Sequence, residues 1–250
     1  MRRMLLTMRA HIEALRCLAY LNAESLDLAA RHTDAAVRTA RQELADLLTP
    51  ITKGWGTDLG NEVTSLALQV HGGMGYIEET GVAQHYRDIR IAAVYEGTNG
   101  IQAIDLVGRK LPMRGGGVIA DFLAGIEATA AEMSSAEGDQ AAIGKRLADA
   151  HAVLKSTTDW LLANGLADPG NALAGATPYL RMCGIVTGGW LLARSAQAAQ
   201  RRLDAGEGDA DFLRQKLVTA VFYAEQLLPQ AAGLAPAVTA GPSELAAATF

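Results

Sequence analysis

Apolar residues return at three- and four-residue steps along most of this chain and rarely alternate with polar ones over strand lengths. Leu5, Met8, Ile12, Leu15 and Ala19 form one such stripe, which predicts a helix continuing to about Ala29. A second helix is expected from about Thr33 to Leu48, stopping before Pro50, which cannot continue the backbone ladder. Ile51 to Gly56 reads as a turn, after which Thr57 or Asp58 starts a third helix reaching about Val70. His71 to Tyr76, HGGMGY, has three glycines in six residues and reads as a loop with exposed backbone. A helix from about Thr80 to Arg90 and a link through Val94 to Gly97 follow. Thr98 or Asn99 then caps a helix with Ile101, Ile104 and Val107 on one face.

Pro112 and the run Gly115 to Gly117 are the strongest punctuation in the chain. Residues 118–135, 139–164, 175–203 and 209–228 read as four further helices, and the Ala-rich end with Pro236, Gly241 and Pro242 as an irregular tail or strap. The expectation is an all-α protein: a helical bundle over 1–111, a linker at 112–117, a second helical bundle over 118–230 and a tail over 231–250.

Composition narrows the function. Half of the 250 residues are hydrophobic, enough for a sizeable core. A net charge of −5 leaves no basic footprint for nucleic acid. The run MRRMLLTMRAHIEALR is interrupted by Arg9, His11, Glu13 and Arg16 before any signal-peptide core forms. Met182 to Ala193, between Arg181 and Arg194, is far shorter than the roughly 20 residues of a spanning helix, so no membrane crossing is expected. Cys17 and Cys183 announce neither a disulfide framework nor a zinc site, and a cytoplasmic location is expected.

Several chemistries are excluded by spacing. No Glu stands three residues before a His, and neither HExxH nor GxSxG occurs. The glycines around Gly73 and Gly75 fit neither the dinucleotide fingerprint nor the P-loop. His71 beside glycines reads as a packing or hydrogen-bonding residue. Tyr86, Arg87, Asp88 and Arg90 read as a salt-bridged structural lock, and Trp55, Trp160 and Trp190 as core or interface anchors.

One long stretch is more specific. Leu66 to Arg109, LALQVHGGMGYIEETGVAQHYRDIRIAAVYEGTNGIQAIDLVGR, closely resembles the C-terminal signature of the acyl-CoA dehydrogenase family. The match includes Gln69 to Gly73, Tyr86-Arg87-Asp88, and Tyr95-Glu96-Gly97-Thr98 followed by Ile101-Gln102. The resemblance implies that Gln69, Gly72 and Gly73 touch the adenosine part of an FAD held mainly by a neighbouring subunit. It also implies that Thr98 and Asn99 approach the adenosine end of a flavin, and that Tyr95 and Gly97 line the acyl pocket. Free glycine amides facing an anion agree with the first of these.

In the resemblance, Glu96 is the catalytic base that removes the α-proton of an acyl-CoA thioester while the β-hydrogen leaves as hydride to the flavin. A carboxylate is a weak base for that proton, so the site must be dry and must stabilise the enolate-like charge. The Glu96 amide would face the thioester carbonyl as part of an oxyanion hole. Gly100 stands where many members carry Gln or Glu, so that side chain's flavin contact is lost. Residues 118–250 resemble the extra helical domain of a branch that includes 3-methylthiopropanoyl-CoA dehydrogenases.

Full-length members precede this region with a helical domain, a small β-domain holding the flavin ring and the first bundle helices. The chain is therefore expected to be a fragment or split-gene product with little or no activity alone. The missing N-terminal and middle domains, electron-transfer flavoprotein and further copies of the chain in a homo-oligomer are its expected partners. The alternative is a non-catalytic helical assembly or regulatory module derived from the enzyme.

Overall fold

The computed structural model describes residues 1–165 and 167–249; Leu166, within the expected second bundle, and Phe250, at the end of the expected tail, lie outside the described residues. Among them there is no strand, and ten α-helices follow one another: α1 (Arg2–Arg31), α2 (Ala35–His71), α3 (Val82–Ile89), α4 (Asn99–Asp105), α5 (Gly117–Ser134), α6 (Gly138–Gly165), α7 (Pro169–Asp204), α8 (Ala210–Gln226), α9 (Gln230–Thr239) and α10 (Ser243–Ala247). The all-α expectation holds.

The largest departure is in α2. The helix expected to stop before Pro50, the turn at Ile51 to Gly56 and the next helix are one continuous element. Proline in a helix interior removes a hydrogen bond and costs about 3 kcal/mol. Here Leu47, Leu48, Ile51, Trp55 and Leu59 are buried around it, and that burial outweighs the local preference. The glycines that looked like turn residues mark close approach instead. A Cβ at Gly54 would lie 2.9 Å from Leu180 Cδ1 of α7, and one at Gly56 would lie 2.6 Å from Leu15 Cδ1 of α1.

The start of α7 also differs from expectation. Asp168 accepts a bond from the Gly170 amide (2.9 Å) and Pro169 takes the first turn, so the helix begins six residues before 175. Pro178 sits inside it, among residues packed on both sides. The stretch expected to be an irregular tail contains α9, whose Ala231 and Val238 are buried; burial of small apolar residues overrides Pro236.

Helix α7 is the centre of the architecture. Its run from Met182 to Ala193, the most membrane-like in the chain, is buried among α1, α2, α5, α6, α8 and α9. No described helix is long and apolar enough to cross a membrane. One apolar cluster extends from Ala10 of α1 to Val238 of α9. The segment joining α4 to α5 is tight: the last turn of α4 widens so that Leu111 N donates to Leu106 O (2.9 Å), and Arg114, Gly115 and Gly116 all have positive φ.

Candidate functional site

The central element is the turn before α4. Glu96 has φ 53° and Gly97 φ 80°, two successive left-handed residues. For Gly97 this is unstrained, whereas for Glu96 it costs roughly 1–2 kcal/mol and persists only where the surroundings dictate it. The surroundings are explicit. Gln102 Nε2 of α4 donates to the Glu96 carbonyl (3.2 Å), and Lys53 Nζ of α2 donates to the Gly97 carbonyl (2.6 Å). Thr98 caps α4 by accepting from the Ile101 amide (3.3 Å), as its position at the head of an apolar helix predicts.

Asn99 fastens this turn to α2. Its Oδ1 accepts from Lys53 Nζ (2.9 Å) and Thr57 Oγ1 (3.1 Å), and its Nδ2 lies within bonding distance of Asp58 Oδ1 (2.7 Å), Thr57 Oγ1 (2.9 Å) and the Gly54 carbonyl (3.0 Å). Both ends of the carboxamide are therefore occupied within the chain. Lys53, Thr57 and Asp58 are the participants that sequence reasoning missed. Thr57 and Asp58 were read as helix starters, and Lys53 fell in a supposed turn.

The Glu96 amide has no acceptor among the described residues, and the Glu96 side chain is exposed. Tyr95 is 52% exposed beside it. The turn thus combines an exposed carboxylate, an N–H without an acceptor among the described residues and a half-exposed phenol ring on a pinned backbone.

Gln69, Gly72 and Gly73 lie elsewhere. Gln69 is in the last turn of α2, 16 residues beyond Lys53 and so about 24 Å along the helix at its usual rise, and Gly72 and Gly73 follow just past the helix end. The chain returns along α2 through α3, whose Ile89 would meet a Cβ at Gly60 at 2.8 Å, and so brings Glu96 back to Lys53. Gly72 has φ 62° and ψ −147°, a conformation essentially reserved for glycine, and a Cβ at Gly72 or Gly73 would meet nothing within 4 Å. Gln69 and both glycines are exposed. His71 Nδ1 stays within 3.0 Å of the Ala67 carbonyl of its own helix, as a hydrogen-bonding residue should.

The expected lock at Tyr86 to Arg90 is looser than a salt-bridged cluster. Arg87 pairs with Glu78 (3.4 Å) instead of its neighbours, and Tyr86 is half exposed, because α3 faces outward along most of its length. Around both halves of the site the surface is unusually apolar. Met74, Tyr76, Ile91, Val94, Ile101 and Ile104 are all at least 45% exposed, and Tyr76 reaches 85%. Large apolar side chains exposed in such number around candidate site residues are what a surface covered by other domains or chains would carry. The described residues include no cluster of His, Cys, Asp and Glu suited to a metal.

Comparison with known proteins identifies the family. Residues 1–111 match the family model described as acyl-CoA dehydrogenase, C-terminal domain, and residues 122–249 the one described as acetyl-CoA dehydrogenase C-terminal like. A 3-methylmercaptopropionyl-CoA dehydrogenase of Ruegeria pomeroyi is 47% identical over 91% of the chain and 38% of its own length. The broad-specificity linear acyl-CoA dehydrogenase FadE5 of Mycobacterium tuberculosis is 31% identical over 91% of the chain and 39% of its own length. The chain therefore spans under two-fifths of these relatives. The crystal structure of Caenorhabditis elegans ACDH-11 in complex with C11-CoA shares the fold, with a TM-score of 0.67 at 16% identity over 90% of the chain and 36% of that one. The chain belongs to the acyl-CoA dehydrogenase family, and it corresponds to that family's C-terminal helical region.

Proposed function

We propose that this chain is the base-carrying part of a flavin-dependent acyl-CoA dehydrogenase that converts an acyl-CoA thioester to its 2-enoyl form. The observation that carries this reading is the Glu96 turn: a strained, exposed carboxylate-bearing residue whose own carbonyl and the next one are pinned, while its N–H has no acceptor among the described residues. In this role the Glu96 carboxylate takes the α-proton. Its amide donates to the thioester oxygen as negative charge gathers there. Tyr95 and Gly97 border the acyl group.

The residues present fit an FAD. Gln69, Gly72 and Gly73 offer exposed backbone at a helix end with open space where side chains would stand, and Thr98 is exposed near the base. The separation of Gln69, Gly72 and Gly73 from Glu96 favours their service to a cofactor held across a subunit interface. Asn99, occupied by α2, contributes by fixing the turn. FAD, when bound, supplies the acceptor for the β-hydrogen with its electron pair.

The exposed apolar surface around Tyr76, Ile91 and Ile104 is the place for the flavin-holding domains and for further copies of the chain. An electron-transfer flavoprotein is the expected electron acceptor, and the cytoplasm the expected location.

The test is turnover with an artificial electron acceptor, using the chain assembled with the domains that complete its relatives. Glu96→Gln should lower kcat roughly a thousandfold with the helical signal and bound flavin unchanged. Activity retained by that variant would remove Glu96 from the reaction and leave the assembly-module reading.

A further inference from the structure

We infer that Lys53 is a positioning residue for the Glu96 base, an inference that rests on the reading of Glu96 given above. Lys53 is the point where α2 grips the turn: a single ammonium reaches the Gly97 carbonyl at 2.6 Å and the Asn99 Oδ1 at 2.9 Å. The first bond fixes the Gly97–Thr98 peptide, the second one after the base. The second ties that peptide to the Asn99 carboxamide, which is held in turn by Thr57 and Asp58 one turn further along α2.

Glu96 occupies a left-handed conformation that its side chain disfavours, so a competing extended or right-handed conformation is close in energy. Any such change at Glu96 swings both its carboxylate and its N–H. Gln102 holds the Glu96 carbonyl at 3.2 Å from within α4, so that bond moves with the turn. Lys53 is anchored on α2, whose Gly54, Trp55 and Gly56 are buried against α1 and α7. It therefore references the base to the rigid core. Lysine suits the task because one ammonium carries three donors and serves two acceptors at once.

The test has two arms. In the chain itself, hydrogen exchange at the Ile101 and Gln102 amides, which close the turn by bonding to Thr98 Oγ1 (3.3 Å) and the Thr98 carbonyl (3.0 Å), is compared among the natural chain, Lys53→Met and Lys53→Arg. Lys53→Met, which keeps the aliphatic stem, should speed exchange in the turn on the order of tenfold, with α1 and α7 unchanged; Lys53→Arg should restore most of the protection. Unchanged exchange in Lys53→Met overturns the inference.

In the assembled enzyme, Lys53→Met should lower kcat about ten- to a hundredfold while KM for acyl-CoA stays within about threefold, with recovery in Lys53→Arg. A loosened turn with unaltered kcat also overturns it. If the assembled natural enzyme fails to turn over, or Glu96→Gln is fully active, the reading of Glu96 is at fault; the exchange arm then decides alone whether Lys53 holds the turn.

Discussion

The indole of Trp55 lies directly against the bare backbone of Gly184: a Cβ at Gly184 would fall 2.2 Å from the indole Cγ. One turn on, a Cβ at Gly188 would fall 2.7 Å from the far edge of the same ring and 2.6 Å from Tyr223 Oη. Two glycines on α7 thus form the groove that receives the α2 tryptophan, in the region where α2 carries Lys53. Gly184→Ala should destabilise the chain by about 3 kcal/mol or more, since a ring wedged between helices cannot yield as a flexible side chain would. Thermal unfolding measures this; a Tm within a degree of the natural chain would contradict the packing.

Gly73→Ala is the contrasting case. With ordinary φ and nothing within 4 Å of the added carbon, it should leave stability within about 0.5 kcal/mol. In the assembled enzyme it should nevertheless weaken FAD binding severalfold, because the methyl fills space proposed for the cofactor. Gly72→Ala differs again: at φ 62° and ψ −147° it should cost roughly 1–3 kcal/mol through backbone strain alone. Denaturant titration of the two variants separates these effects.

Asn99→Ala should cost about 1–3 kcal/mol, because Thr57, Asp58 and Lys53 each lose a partner. It should also reproduce the faster turn exchange of Lys53→Met. Equal protection in the natural chain and Asn99→Ala would separate Asn99 from the turn.

Two histidines, His151 buried and His11 partly buried, make stability depend on pH. Burial lowers the pKa of His11, with Arg181 of α7 adding to the effect and Glu62 of α2 opposing it. Burial likewise lowers His151 of α6, with Lys155 in the same sense and Glu127 of α5 opposing. Neither His11 Nδ1 nor His151 Nε2 has a hydrogen-bond partner in the described chain. Below about pH 6.5 the unfolded chain takes up protons that the folded chain resists, so these groups cost stability as pH falls through that value toward their folded pKa. Unfolding free energy should be lower at pH 5.5 than at pH 7, and His11→Gln combined with His151→Gln should flatten the difference. An unchanged slope in the double variant would contradict this origin.

Much of this architecture was legible in the residues. The three- and four-residue apolar steps gave the helices, and Thr98 at the head of α4 is a cap as expected. The continuity of α2 through Pro50 was not, because local propensity speaks only for the segment, and Trp55 in the groove of Gly184 and Gly188 is a contact across more than a hundred residues. For the same reason Gly54 and Gly56 resembled a turn. Glu96 stood out through its flanking pattern, whereas Lys53 carried no signal in sequence; only folding brings it to Gly97, 44 positions away. Cys183, which announced neither a disulfide nor a zinc site, is buried in α7 with its pKa pushed up to about 12 by desolvation, which makes it inert.

The measurement that tests the central claim most directly is an FAD titration, followed by flavin absorbance and fluorescence, of the chain alone and of the chain mixed with the flavin-holding domains proposed to complete it. The account predicts that only the mixture binds and reduces flavin on addition of acyl-CoA, and that Glu96→Gln binds flavin equally but leaves it oxidised. Flavin bound by the mixture yet reduced as fast with Gln at position 96 would contradict it, as would a mixture that binds no flavin at all.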